Sequence, residues 1–367
     1  MLSTRQLNRA LLARQLLLKR KRLSVAKAVH AVGGLQSQEP RDPHVALWSR
    51  LSAFKSERLQ QAAERREVVR GSHLRGTIHT VSTDDYLAFR LLLQPVLDRD
   101  LKNWAHLGGG FTMKALEPAA RALLARQGPL TAQQIAEALA PRFPQAHKEG
   151  LARWVRTCVP LAMVPGDERW GYPRPPRFMP ADDWLGQPLQ AGASADAMQG
   201  LVRRCLAAIG PASAADVRGW CGLGSVKAVL EAMRAELVVF ADELGRELFD
   251  LPEAPRPRAD TPAPPRFLPE YDNSLLSHED RRRIVPPEHA PHFSMTRNGR
   301  RPRALLVDGF ARGGWEIVRE RDTARLLLRL YEPASRAVRD EIEAEGEALL
   351  RFMEPDAARH VIELPKR

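Results

Sequence analysis

The side chains of this sequence best placed to do chemistry are Gln36 and Gln38, in Gly33-Gly34-Leu35-Gln36-Ser37-Gln38-Glu39-Pro40. The residue before a proline prefers extended backbone. In an extended stretch, residues i and i+2 point to the same side. Each carboxamide can accept through its oxygen and donate through its nitrogen. Neither titrates, so the pair can orient a water molecule but cannot serve as a poised general base. From spacing alone, the same amides also fit a helix C-terminus, where they would satisfy loose backbone carbonyls. Glu39 should face the other way, exposed or paired with an arginine such as Arg41.

Other residues supply binding and support. Arg75 and His79 share one face of an expected strand by its period of two, Arg75 as a phosphate ligand and His79 as a weaker candidate for the same surface. Lys19, Arg20, Lys21, Arg22 and Arg41 are cations of the same basic region, and Arg281, Arg282 and Arg283 form a second cluster. Asp272-Asn273 is an ordinary turn pair. His289-Ala290-Pro291-His292 has neither an acidic nor a cysteine partner and reads as a proline-rich loop. Cys158, Cys205 and Cys221 are odd in number and far apart, so a reduced, cytosolic protein without a disulfide framework is expected. No phosphate-binding loop, dinucleotide fingerprint, zinc spacing or nucleophile elbow occurs. No metal or cofactor is expected.

The surrounding elements follow from caps and periodicity. Ser3 can cap a helix running to about Lys19. Leu7, Leu11 and Leu18 form its apolar stripe. Ser24 can cap a second helix carrying Val25, Ala28, Val29 and Val32, which stops at Gly33-Gly34. Asp42-Pro43 starts a third helix, residues 57–66 form a fourth, and residues 68–81 read as two short strands with glycine-marked turns. Helices followed by a hairpin are the pattern of a winged helix. Gly128-Pro129-Leu130-Thr131-Ala132-Gln133-Gln134-Ile135 is echoed 82 residues later by Gly210-Pro211-Ala212-Ser213-Ala214-Ala215-Asp216-Val217. In both copies Gly-Pro ends one helix and a hydroxyl residue caps the next, which implies small tandem domains. Residues 252–265 read as a linker or an extended crossing strand. The Asp308-Gly309 turn then opens a small β-rich unit, closed by a charged helix over residues 335–353.

The fold expected is mainly α with β wings (α+β). It comprises winged helices over residues 1–110, 111–190 and 191–262, and a C-terminal β-rich, barrel-like domain over 263–367. The 367 residues carry a net charge of +12. Residues 1–75 hold 16 Lys/Arg against 5 Asp/Glu, nearly all of that excess. Such concentration points to a polyanion partner, nucleic acid being the commonest. The apolar runs are too short and too often interrupted by arginine for a transmembrane segment.

Four ordered motifs carry a resemblance. They are Gly34-Leu35-Gln36-Ser37-Gln38, Arg75-Gly76-Thr77-Ile78-His79, Leu268-Pro269-Glu270-Tyr271-Asp272-Asn273-Ser274-Leu275-Leu276 and Leu305-Leu306-Val307-Asp308-Gly309. Together they resemble the winged-helix DNA-binding superfamily that includes the bacterial AlkZ-type DNA glycosylases, over nearly the whole chain. The resemblance implies three tandem winged helices and a β-rich module curved as a C around double-stranded DNA, acting as a monomer in the cytoplasm at the nucleoid. It implies excision of alkylated (N7/N3) purines and, in some members, unhooking of interstrand crosslinks. Gln36 and Gln38 match the two functional positions of the family's catalytic motif, and Ser37 replaces its apolar middle residue. Asp272 and Asn273 match a C-terminal motif that could support the site. The competing expectation is a non-catalytic winged-helix DNA-binding protein or transcriptional regulator.

Overall fold

The computed structural model describes residues 1–295 and 301–364. Its first stretch contains α1 (Thr4–Arg14), α2 (Val25–Ala31), β1 (Leu35–Gln36), α3 (Asp42–Arg50) and α4 (Glu57–Glu64). The hairpin β2 (Val68–Ser72) and β3 (Ile78–Ser82) follows, then α5 (Thr83–Phe89) and α6 (Gln94–Leu101). Ser3 and Ser24 cap α1 and α2 through their hydroxyls. The first helix ends at Arg14, earlier than its apolar stripe suggests, and the chain turns with Leu16 at a φ of 56°. Leu7 and Leu11 are buried, whereas Leu18 lies beyond the helix.

The second stretch holds α7 (Met113–Gln127), β4 (Leu130–Thr131), α8 (Ala132–Leu139), α9 (Lys148–Cys158), β5 (Leu161–Met163), β6 (Arg177–Pro180) and α10 (Ala181–Leu185). The third holds α11 (Ala195–Ile209), α12 (Ala214–Cys221), α13 (Val226–Ala232) and the hairpin β7 (Val238–Ala241) and β8 (Glu247–Asp250). The two copies of the Gly-Pro repeat start α8 and α12 in the same way. Thr131 with Gln134, and Ser213 with Asp216, form reciprocal capping boxes that satisfy otherwise orphaned backbone donors.

The last stretch contains β9 (Arg266–Phe267), α14 (Asn273–Leu276), β10 (Ala304–Val307), β11 (Phe310–Glu320), β12 (Thr323–Leu330), α15 (Arg336–Met353) and β13 (Arg359–Glu363). Among the described residues, five of these strands form a sheet in the order β13-β12-β11-β10-β9. The Asp308-Gly309 turn joins β10 and β11 with φ of 48° and 79°, as a tight hairpin requires. Phe267 and Leu326 pack under α15 with Ile342, Leu349 and Leu350, all of them fully buried.

The fold is therefore mixed α/β, and its sheets cross the boundaries suggested by the repeats. Strands of the first two stretches form one sheet, β1-β3-β2-β5-β6-β4, through the pairing of Arg70 with Met163 and of Gly71 with Ala162. The proline-rich residues 252–265 contain no helix or strand. The arginines of α1 hold this segment: Arg5 donates to the Ala259 carbonyl at 2.9 Å, Arg9 to Thr261 at 2.7 Å and Arg14 to Pro255 at 3.3 Å.

Candidate active site

The glutamine stretch is held on every side. Gly33 and Gly34 adopt φ of 75° and 90°, backbone states that L side chains resist. A Cβ at Gly33 would sit 2.9 Å from Ala208 Cβ and Trp220 Cζ2, and one at Gly34 would sit 2.8 Å from Val81 Cγ1. The two glycines thus let α2 end in close contact with α11, α12 and β3. Asn273 donates through Nδ2 to the carbonyls of Val32, at 3.3 Å, and Gly34, at 2.5 Å. Asp272 caps α14 and accepts from Arg50 at 2.8 Å. The Asp-Asn pair therefore ties the C-terminal stretch to the backbone that leads into the glutamines.

Leu35 and Gln36 pair with Thr80 and His79 as β1 on the edge of the hairpin. Ser37 continues this path, donating its N–H to the Ile78 carbonyl at 2.8 Å. Its hydroxyl donates to the Leu35 carbonyl at 2.7 Å and lies 2.8 Å from the Thr80 hydroxyl. Its carbonyl accepts from Arg70 at 2.8 Å. Ser37 is fully buried, and these contacts explain how a polar residue occupies the middle position without an unmet hydrogen bond. Arg70 is buried and stacks its guanidinium 4.9 Å above the Tyr172 ring.

Gln36 is buried, while Gln38, in the bend that follows the strand, is exposed. The two amides therefore differ in environment, although extended geometry alone suggested equivalence. Arg75 Nη2 donates to Gln36 Oε1 at 2.9 Å and contacts His79 Nε2 at 3.1 Å, while Nη1 donates to the Trp220 carbonyl at 3.3 Å. Arg75 is not on the strand as expected. It lies in the turn between β2 and β3 with a φ of 57°, and it still meets His79. Burial lowers its guanidinium pKa to about 10.

His79 is fully buried on β3 and offers no exposed surface of its own. Burial and the nearby Arg75 hold its imidazole well below the usual pKa, in the neutral form. His73, also buried, lies with its ring 6.4 Å from that of His79 and is lowered to about 4 by burial. Two neutral imidazoles thus lie close to the Arg75 guanidinium.

The remaining basic candidates separate by environment. Lys19, Lys21 and Arg22 are exposed. Arg20 instead pairs with Glu345 at 2.6 Å and lies over Trp48. Arg282 is exposed and paired with Asp280 at 2.7 Å, and Arg281 is half-buried. Arg283 is buried and donates to the Pro211 carbonyl at 2.8 Å, so it acts as an internal brace and is not available to phosphate. Arg41 lines a pocket of about 250 Å³ with Glu270, Arg303 and Trp315. Glu39 pairs with Arg174, not with Arg41. Among the described residues no group of three or more His, Cys, Asp or Glu side chains is placed to hold a metal ion, and no helix is long and apolar enough to cross a membrane.

Two residues close to the motif were not anticipated. Arg70 could have been suspected as an arginine between valines and a glycine in a buried strand. Asp42, in the first turn of α3, is 1% exposed, and its carboxylate oxygens have no hydrogen-bond partner among the described residues. Burial raises its pKa to about 6, against the opposing pull of Arg303 and Arg41.

Fold and site together define a helix-rich mixed α/β chain with an amide pair on the edge of its first hairpin. Residues 29–352 match the family model for DNA glycosylase AlkZ-like proteins, and the chain belongs to that family. Its structure is similar to that of Streptomyces sahachiroi DNA glycosylase AlkZ, with a TM-score of 0.79 and 20% identity over 99% of this chain and 100% of the other. Curated protein sequences give no significant match.

Proposed function

We propose that this protein is a monofunctional DNA glycosylase that hydrolyses the N-glycosidic bond of N7- or N3-alkylated purines in double-stranded DNA, with Gln36 and Gln38 positioning the water. The observation that carries the reading is the immobilised motif itself. A buried Gln36 held by Arg75 stands two residues from an exposed Gln38, in a chain of the AlkZ-like family. An alkylated purine carries its own positive charge. When the C1′–N bond breaks, its electron pair neutralises the ring, so no acid need protonate the leaving group. Water oxygen then bonds to C1′ and its surplus proton passes to solvent, giving a neutral alkylpurine, an abasic deoxyribose and a proton. Orientation of that water can lower the barrier by several kcal/mol, up to ~7–11 in favourable cases. Uncharged bases remain intact because their bonds are not weakened in this way.

The same chemistry extends to interstrand crosslinks formed through N7 of guanine. In this reading, the helix–hairpin units act as tandem winged helices of a monomer, with exposed Lys19, Lys21 and Arg22 facing phosphates and Asp272-Asn273 supporting the glutamine loop. The test is base release from a duplex containing N7-methylguanine, followed by chromatography of the free base. Wild type should release it, and Gln36→Ala and Gln38→Ala should bind the duplex normally but release little. Absence of release by wild type from both this duplex and a nitrogen-mustard crosslink would eliminate the enzyme in favour of a DNA-binding regulator.

A further inference from the structure

Hydrogen-bond polarity at Arg75 distinguishes the two glutamines. Arginine has donors and no acceptor, so the Gln36 atom 2.9 Å from Arg75 Nη2 must be the amide oxygen. The same rule fixes His79: Nε2, 3.1 Å from that guanidinium nitrogen, accepts, and the ring proton resides on Nδ1, 3.1 Å from the Thr77 carbonyl. The third anchor, the Trp220 carbonyl of α12, places the guanidinium between the first hairpin and the third helical stretch. Among the described residues, no carboxylate pairs with Arg75. Its acceptors are an amide, an imidazole and a carbonyl, all neutral.

From this geometry we infer that Arg75 is a positioning residue that gives the two glutamines different roles. The inference rests on the glycosylase reading above. With Oε1 engaged by a cation, Gln36 presents its NH2 as the outward, polarised donor. The Gln38 side chain has no hydrogen-bond partner among the described residues and is exposed, so its oxygen is free to accept from the attacking water. Gln36 donates to an oxygen of the substrate, in the sugar–phosphate unit or on water, and Gln38 accepts a hydrogen bond from the attacking water, whose surplus proton passes to solvent. His79 holds the guanidinium in register from behind through its Nε2 lone pair.

The roles are separable because glutamate keeps the acceptor oxygens of glutamine and lacks its donor. Single-turnover release of N7-methylguanine from duplex DNA is the readout, with duplex affinity and melting temperature measured for each variant. Gln38→Glu keeps an acceptor oxygen and should lose roughly tenfold less release than Gln36→Glu. Gln36→Glu, which would pair with Arg75 and lose the NH2, should fall ~10²-fold without loss of stability, the scale associated with a misplaced reacting group. Arg75→Met should fall by a similar factor with duplex affinity changed less than threefold, and Arg75→Lys should recover part of the rate. In a Gln36→Ala background, Arg75→Met should add less than threefold, because coupled residues are not additive.

Equal losses in the two glutamate variants, or an Arg75→Met loss that multiplies fully with Gln36→Ala, would overturn the assignment. Should Arg75→Met fail to fold, Arg75→Lys and the glutamate pair still decide it. If wild type releases no base from either damaged duplex, the glycosylase reading itself falls. If wild type is active and the glutamate asymmetry is absent, only the Arg75 assignment falls.

Discussion

Two groups of buried or partly buried arginines are bonded in opposite ways. In the scaffold, Arg14 meets Asp250 at 2.7 Å and Arg50 meets Asp272 at 2.8 Å, with all four side chains almost wholly excluded from solvent. At the site, Arg70 donates to the Ser37 carbonyl and Arg75 to the Gln36 amide, and neither makes an ion pair among the described residues. Burial lowers the pKa of both site arginines. A scaffold arginine is neutralised where it sits and holds distant segments together. A site arginine has no counterion among the described residues and polarises the neutral groups it touches.

Breaking a scaffold pair should have the largest effect. Asp272→Ala leaves Arg50 buried without its counterion and should cost about 3–5 kcal/mol, read by denaturant unfolding. Loss of Asp250 should be similar, because it pairs with both Arg14 and Arg256. Arg75→Met, by contrast, should cost less, about 1–3 kcal/mol, since it strands neutral acceptors but no carboxylate. Asp42 completes the comparison as a buried carboxylate held near 6 and not at 3.8. Its folded form binds a proton more tightly than its unfolded form, so its contribution to stability is greatest below about pH 4. That contribution declines as pH rises through about 6. Asp42→Asn should therefore raise stability at pH 7.5 by about 1–3 kcal/mol and flatten the melting temperature between pH 4 and 6.

Smaller effects sharpen the same contrast. Replacing exposed Lys19, Lys21 or Arg22 by glutamine should each reduce the salt slope of duplex binding by about one unit. Arg20→Gln should leave that slope nearly unchanged, because the guanidinium is engaged with Glu345. Ser37→Ala removes the hydroxyl between the Leu35 carbonyl and Thr80. It should cost about 1 kcal/mol of stability and leave base release within a few-fold of wild type.

The local grammar of the chain was legible. Ser24, Thr131 and Ser213 cap helices, Asp308-Gly309 turns a hairpin, and Gly33-Gly34 ends α2, all from residue type and spacing. Periodicity could not reveal that β2 would pair with β5, Arg70 with Met163 and Gly71 with Ala162, because non-local pairing leaves no local pattern. The charge pattern did not show which cations are internal. Part of the basic excess of residues 1–75 is compensated in space: Arg5, Arg9, Arg14, Arg20 and Arg50 pair with Asp308, Asp250, Glu345 and Asp272. An asymmetric sequence folded into internal ion pairs is not an equally asymmetric surface. The two glutamines stood out in the sequence, but their different environments did not, because Arg75 reaches Gln36 from a left-handed turn outside the strand register.

Single-turnover release of N7-methylguanine from duplex DNA by wild type and Gln36→Ala, at equal bound fraction, reads the part of the amide pair in hydrolysis. Wild type should release the base clearly, and the variant should be slower by ~10²-fold or more at unchanged duplex affinity. Equal rates in the two proteins would show that Gln36 takes no part in the hydrolysis.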